Sequence, residues 1–170
     1  MDLKSLVRDI PDFPKEGILF RDITTVLKDA DGLYNSVNLM SDKLENVDFD
    51  LVVGPESRGF IFGVPIAYNM RKGFVPARKK GKLPHDTISK TYALEYGESV
   101  IEIHKDAIKK GQKVVIADDL LATGGTCKAI CELIEEVGAE VAAIVFFIEL
   151  ESLRGRENLK GYNIHSILKY

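Results

Sequence analysis

The sequence predicts an α/β fold with a mostly parallel central sheet flanked by helices, on three observations. Short β-branched apolar runs such as Val114-Val115-Ile116-Ala117 have the composition of strands buried on both faces. Between such runs lie stretches of helical spacing; Cys127, Ile130, Cys131, Ile134 and Val137 share one helix face and Gly138 follows where a C-cap belongs. The two kinds of segment alternate along the chain, which is the order that builds a parallel sheet.

Taken from the N-terminus, residues 2–8 read as a short helix. Ile10-Pro11-Asp12-Phe13-Pro14 reads as a rigid extended segment, because each proline fixes its own φ and restricts the residue before it. Residues 31–44 form the next helix, 49–53 the first central strand, 60–70 a helix and 74–77 a strand. From Arg78 to about Lys90 the chain is polar, basic and without apolar period, which predicts a long mobile loop. Strands follow at 92–94 and 99–103, the second alternating more than the central runs and so nearer an edge. The strand at 114–117, the helix ending at Gly138 and a strand at 141–148 come next, and Tyr162, Ile164, Ile167 and Leu168 suggest a closing strand.

The composition bounds the function. With 170 residues and 45% hydrophobic content, the chain is expected to be one domain with a real core. A net charge of −3, with only one short basic run at 78–82, disfavours a nucleic-acid partner. No stretch has the length of a membrane span and the start is unlike a signal peptide, so the expected location is cytoplasmic. Cys127 and Cys131 read as buried core thiols. His85, His104 and His165 are scattered, without metal-ligand spacing.

The most informative stretch runs from Val114 to Thr126. An apolar strand ends in Asp118 and Asp119, and Ala122-Thr123-Gly124-Gly125-Thr126 leads into the helix. Small residues there let backbone N–H groups converge on an anion, the helix dipole adds positive character, and the two Thr hydroxyls add donors. Two carboxylates beside an anion site suit sugar hydroxyls or a hydrated Mg²⁺, so the element reads as a site for ribose plus phosphate. Gly54 to Gly59 has Walker spacing, but Phe60 stands where that motif needs Lys. Gly54-Pro55-Glu56-Ser57-Arg58-Gly59 follows a strand and precedes a helix, offering a second set of backbone donors, and two such loops side by side make room for two phosphate groups.

The Asp118–Thr126 element closely resembles the phosphoribosyl-pyrophosphate (PRPP) motif of type I phosphoribosyltransferases. The resemblance extends through Phe13 to Ile23, Glu56 to Gly63, Arg78 to Pro84 and Tyr92 to Gly97. The Leu-Glu-Tyr-Gly and Phe-Arg-Asp-Ile segments point to the adenine-using branch. It implies the type I phosphoribosyltransferase fold, with a base-covering hood over residues 1–30 and a flexible catalytic loop over 78–96, and transfer of the phosphoribosyl group of PRPP to adenine in purine salvage.

On that resemblance, residues 122–126 hold the 5′-phosphate, and Asp118 and Asp119 the ribose hydroxyls. Glu56, Ser57 and Arg58 form the pyrophosphate loop, with a non-proline cis peptide at Glu56-Ser57. Arg78, Lys79 and Lys82 fold over pyrophosphate. Glu95 assists proton transfer at the purine N7 and N9 edge, and Tyr96 helps close the loop. Leu19, Phe20 and Arg21 cover and read the base. Mg²⁺ is the implied cofactor, held mainly by substrate and water near Asp118 and Asp119 without a direct protein ligand, and a homodimer is implied. A hypoxanthine, guanine or xanthine enzyme is disfavoured by the Leu-Glu-Tyr-Gly segment. A PRPP-sensing regulator would need an added DNA-binding domain and would lose Glu95, which this chain keeps.

Overall fold

The computed structural model describes residues 2–94 and 97–170. These residues fall into two compact units, one ending at Leu39 and the other running Met40–Tyr170, with the boundary inside α3 (Ala30–Asp42).

The first unit contains α1 (Leu3–Leu6), β1 (Arg8–Ile10), β2 (Phe20–Asp22) and α2 (Thr24–Leu27). The expected helix over 2–8 is shorter, capped by Asp2, whose carboxylate accepts from the Lys4 N–H. Arg8 instead starts β1, which pairs antiparallel with β2 (Arg8 with Asp22, Ile10 with Phe20). Three-residue strands carry too few side chains for a period of two to show, so this ribbon is absent from the sequence pattern. Asp22 closes it, accepting from the Thr24 N–H at 2.9 Å and from Arg8 Nε at 2.9 Å. Those bonds, the Thr24 one foremost, lower its pKa to about 2.

The second unit holds a seven-stranded sheet. Its strands are β3 (Leu51–Pro55), β4 (Gly73–Lys79), β5 (Thr87–Leu94), β6 (Gly97–His104), β7 (Lys113–Leu121), β8 (Glu140–Glu149) and β9 (Ile164–Lys169), in the order β5-β6-β4-β3-β7-β8-β9. The five strands from β4 to β9 pair in parallel, whereas β6 pairs antiparallel with both β4 and β5. α4 (Arg58–Asn69) links β3 to β4, and α5 (Gly125–Glu136) links β7 to β8.

Adjacent residues on β8 face opposite sides, and this places the two helices. Phe147 stacks on Phe62 of α4 at 5.2 Å, while Phe146 joins a core with Val53, Ile116, Ile144, Ile130 and Ile134 that includes the apolar face of α5. Val114–Ala117 are fully buried between them. Each of the Val and Ile side chains contributes roughly 1.5–3 kcal/mol by leaving water. Cys127 and Cys131 are buried free thiols in the same core.

The segment expected as a loop from Arg78 to Lys90 is sheet at both ends, and only residues 80–86 lie outside strands. Arg78 and Lys79 end β4, and β5 begins at Thr87. Ile88, Lys90 and Tyr92 share one face of β5; Ile88 and Tyr92 pack on the core, and Lys90 Nζ pairs with Glu132 at 3.3 Å and Glu136 at 2.5 Å on α5. A lysine in the middle of the inward face hides the strand period, because only tertiary ion pairing makes that position suitable for a charge.

Candidate active site

β3 and β7 lie side by side, and their connections leave in opposite directions, through α4 to β4 and through α5 to β8. This is a topological switch point, where the loops after the strands part and leave a crevice at the carboxyl ends. The crevice here is a cleft of about 400 Å³, lined by residues 55–58, Lys79, residues 118–127 and Phe146.

One wall is the turn from β3 into α4. The Glu56-Ser57 peptide is cis, as the resemblance implies. The Glu56 side chain ties this wall to β4: its Oε1 accepts from the Lys79 N–H at 2.6 Å and lies 3.4 Å from Arg78 Nε. Gly59 packs against the floor, where a Cβ would stand 2.7 Å from Pro55 Cδ and 3.0 Å from Asp118 Oδ1. The sequence marks Gly59 only as the end of a small-residue loop; its contact with Asp118 exists only in the fold.

The opposite wall is Asp118 to Thr126. Gly124 caps α5 with a left-handed φ of +83°, and no side chain caps the helix, so its first N–H groups remain as anion donors. Asp119 is 6% exposed, and its Oδ2 lies 2.7 Å from Arg58 Nε. The Asp119 N–H donates to Asp118 Oδ1 at 2.8 Å. Burial pushes the Asp118 carboxyl well above its ordinary range, and the neighbouring Asp119 charge adds to this. Burial raises Asp119 too, opposed by the Arg58 guanidinium. Two crowded carboxylates at the cleft suit hydroxyl donors or a hydrated divalent cation, either of which stabilises their ionised forms.

The structure therefore brings together Glu56, Ser57, Arg58, Lys79, Asp118, Asp119, Ala122, Thr123, Gly124, Gly125 and Thr126. Arg58 was expected on pyrophosphate, and here its Nε pairs with Asp119 across the cleft. Arg78 and Lys82 are not among the lining residues; Arg78 Nη1 lies 3.4 Å from the Lys82 carbonyl oxygen, and the Gly81 N–H donates to buried Glu102. Leu19, Phe20 and Arg21 belong to the first unit, where the Phe20 ring meets Phe13 edge-on at 5.1 Å and Arg21 pairs with Asp9. Glu95 and Tyr96 lie outside the described residues. No helix among the described residues is long and apolar enough to cross a membrane.

Comparison with known proteins gives a consistent picture. Residues 24–167 match the family model described as a phosphoribosyl transferase domain. The adenine phosphoribosyltransferase of Lachnoclostridium phytofermentans is 64% identical over 168 residues, covering 99% of this chain and 97% of that protein. The crystal structure of adenine phosphoribosyltransferase from Thermoanaerobacter pseudethanolicus superposes with a TM-score of 0.97 at 53% identity, covering 99% of this chain and 98% of that one. The Saccharomyces cerevisiae adenine phosphoribosyltransferase, solved with an imino-altritol bisphosphate and adenine, superposes at 0.91 with 38% identity, covering 98% of this chain and 96% of that one.

Proposed function

The chain belongs to the adenine phosphoribosyltransferase family, and from that premise we propose how the residues of its cleft divide the work of the reaction. The reaction is that of purine salvage: adenine and PRPP give AMP and diphosphate. The observation that carries the assignment of roles is the meeting, across one cleft, of the Asp118-Asp119 pair, the uncapped α5 N-terminus and the Glu56–Arg58 turn.

Backbone N–H groups and hydroxyls of residues 122–126 bind the 5′-phosphate. Asp118 and Asp119 accept from the ribose hydroxyls and so place C1 of the sugar. Ser57, Arg58 and Lys79 receive the pyrophosphate, with Glu56 holding the Lys79 backbone in register. Arg78, near the end of β4, and Lys82, in the segment that follows it, reach the same group. For Arg58 this requires exchange of its Asp119 partner for a diphosphate oxygen, a trade between two charge-assisted bonds.

Heterolysis of the C1–O bond sends its electron pair to diphosphate and leaves an oxocarbenium-like sugar. The purine N9 then donates its lone pair to C1, and the proton lost from the base passes to Glu95. Excluding water matters because it would trap the cation, and Tyr96 is assigned to closing the loop. Leu19, Phe20 and Arg21 are assigned by resemblance to the adenine ring. Carboxylate oxygens fit the outer sphere of a hard, strongly hydrated cation, and Mg²⁺ bound to PRPP supplies charge neutralisation on the departing diphosphate. The proposed location is the cytoplasm.

An assay of nucleotide formation from PRPP and Mg²⁺, with adenine, hypoxanthine, guanine, xanthine and orotate supplied separately, tests the assignment. The expected product is AMP alone, lost when EDTA removes Mg²⁺. Nucleotide from another base would move the chain to another branch, and PRPP binding without any product would make it a sensor.

The proposed homodimer has a surface to form on. Ile61, Val64 and Tyr68, at i, i+3 and i+7 of α4, are 37%, 48% and 82% exposed and form an apolar strip on the helix that Arg58 begins. Sedimentation is expected to give twice the 18.9 kDa chain mass, and Val64→Asp with Tyr68→Asp to give the monomer. A wild-type monomer at micromolar concentration would count against the dimer.

A further inference from the structure

The short 3-10 turn Gly155–Leu159 lies outside every motif that the sequence marks, yet it sits directly against the loop that leads into α5. Both ends of the turn are anchored. Leu159 is fully buried in the core shared with α5. Arg156 is held by a two-pronged bond to Glu149 at the end of β8, with Nε to Oε1 at 2.7 Å and Nη2 to Oε2 at 2.8 Å. The same guanidinium donates to the Ile164 carbonyl and to Ser166 of β9 at 3.2 Å. The Glu149 side chain is only 6% exposed, and the bond from Arg156 foremost lowers its pKa, so the pair stays charged.

This anchored turn presents two features to residues 122–124. Gly155 allows backbone to meet backbone: a Cβ there would stand 2.4 Å from the Ala122 carbonyl oxygen, and a Cβ on Gly124 would stand 2.8 Å from the Gly155 carbonyl oxygen. Asn158 then donates from Nδ2 to the Thr123 carbonyl oxygen at 2.7 Å. A peptide unit is planar and trans, so a Thr123 carbonyl turned toward Asn158 obliges the Gly124 N–H to point away from the turn. Without that bond the unit between Thr123 and Gly124 is free to rotate, because a glycine follows it.

We propose that the turn Gly155–Leu159 is a brace that pre-sets the anion-binding loop, with Asn158 and Gly155 as positioning residues for the sugar 5′-phosphate. The proposal rests on the reading of residues 122–126 as the phosphate loop. The brace touches no substrate. It lowers the cost of ordering the loop on binding, so its effect falls on ligands that carry the sugar phosphate and not on diphosphate, which the Glu56–Arg58 turn receives.

Binding of ribose 5-phosphate and of inorganic pyrophosphate, each measured by calorimetry on the full chain, tests this. Asn158→Ala is expected to weaken ribose 5-phosphate about 3- to 10-fold, the size of one hydrogen bond, and to leave pyrophosphate unchanged. In turnover the loss appears in KM for PRPP, with kcat at saturation and KM for adenine unchanged. Asn158→Leu, which keeps the branched shape and drops the donor, behaves the same way. Gly155→Ala shifts the loop and has the larger effect; if it fails to fold, the exposed Asn158 variants still decide.

Thr126→Val separates the two levels of inference. If it weakens ribose 5-phosphate while both Asn158 variants bind as wild type, the brace is overturned and the phosphate loop stands. If neither Thr126→Val nor the Asn158 variants changes ribose 5-phosphate affinity, both are overturned. Equal loss of pyrophosphate and ribose 5-phosphate in Asn158→Ala would show general loosening and also overturn the brace.

Discussion

Changing Asp118 and Asp119 together to Asn is expected to lower kcat/KM for PRPP by about 10²- to 10⁴-fold, the equivalent of two charge-assisted hydrogen bonds to the ribose. The loss follows from where the carboxylates stand. They lie near the carboxyl end of β7 at the switch point, and Asp118 accepts from the Asp119 N–H, so neither can be replaced by a neighbour without moving the strand. Retention of AMP formation within tenfold of wild type would remove the pair from the mechanism.

Asp118→Asn alone carries a second expectation of opposite sign. Because burial raises the Asp118 pKa in the folded chain, its contribution to stability is fully present below the unfolded-state value of 3.8 and is lost as pH rises through the raised value. At neutral pH the ionised group opposes folding. Asn keeps the acceptor for the Asp119 N–H and drops the charge, so the variant should melt higher than wild type, by about 2–4 °C for each kcal/mol relieved. The gap should close as pH is lowered toward 4. Scanning calorimetry of the ligand-free protein at several pH values checks this; a variant that melts lower at neutral pH would mean that the pair is already neutralised in the free enzyme.

Glu95→Ala is expected to slow AMP formation by about 10²- to 10⁴-fold through the loss of general acid–base help at the purine. The effect belongs on kcat, with PRPP binding preserved, since the proposed contact is to the base alone. Glu95→Gln separates proton transfer from hydrogen bonding: it should be as slow as the Ala variant if the proton moves to Glu95, and much faster if the side chain only orients adenine. Steady-state kinetics at saturating PRPP reads both. A kcat within threefold of wild type in Glu95→Ala would assign the proton to another acceptor.

Much of the sheet is legible in the chain because its strands are buried on both faces, and such strands must be apolar throughout. Val114 to Ala117 and the run from Val141 show this, and their observed spans, Lys113–Leu121 and Glu140–Glu149, extend the expected ones at both ends. The helix after Gly124 is legible for the complementary reason: one face buries Cys127, Ile130, Cys131 and Ile134, and the other is wet. The end of β5 is legible at 92–94, but its start is hidden by Lys90, whose place on an inward face is made tolerable by Glu132 and Glu136 of a helix some forty residues away in sequence. The β1–β2 ribbon was hidden because each strand has only three residues.

The sequence by itself determined the α/β class, the two loops that meet at the cleft and the acids between them, because each is a local requirement: small residues where backbone N–H groups converge, carboxylates near the carboxyl end of a strand, apolar residues where strands are covered. Only the tertiary structure decided that Arg58 pairs with Asp119, that Glu56 holds Lys79 in register and that Asn158 sets the Thr123 peptide. These contacts join segments tens of residues apart, and nothing in the local character of an Arg, a Glu or an Asn names its partner until strand order has brought the two within hydrogen-bond reach.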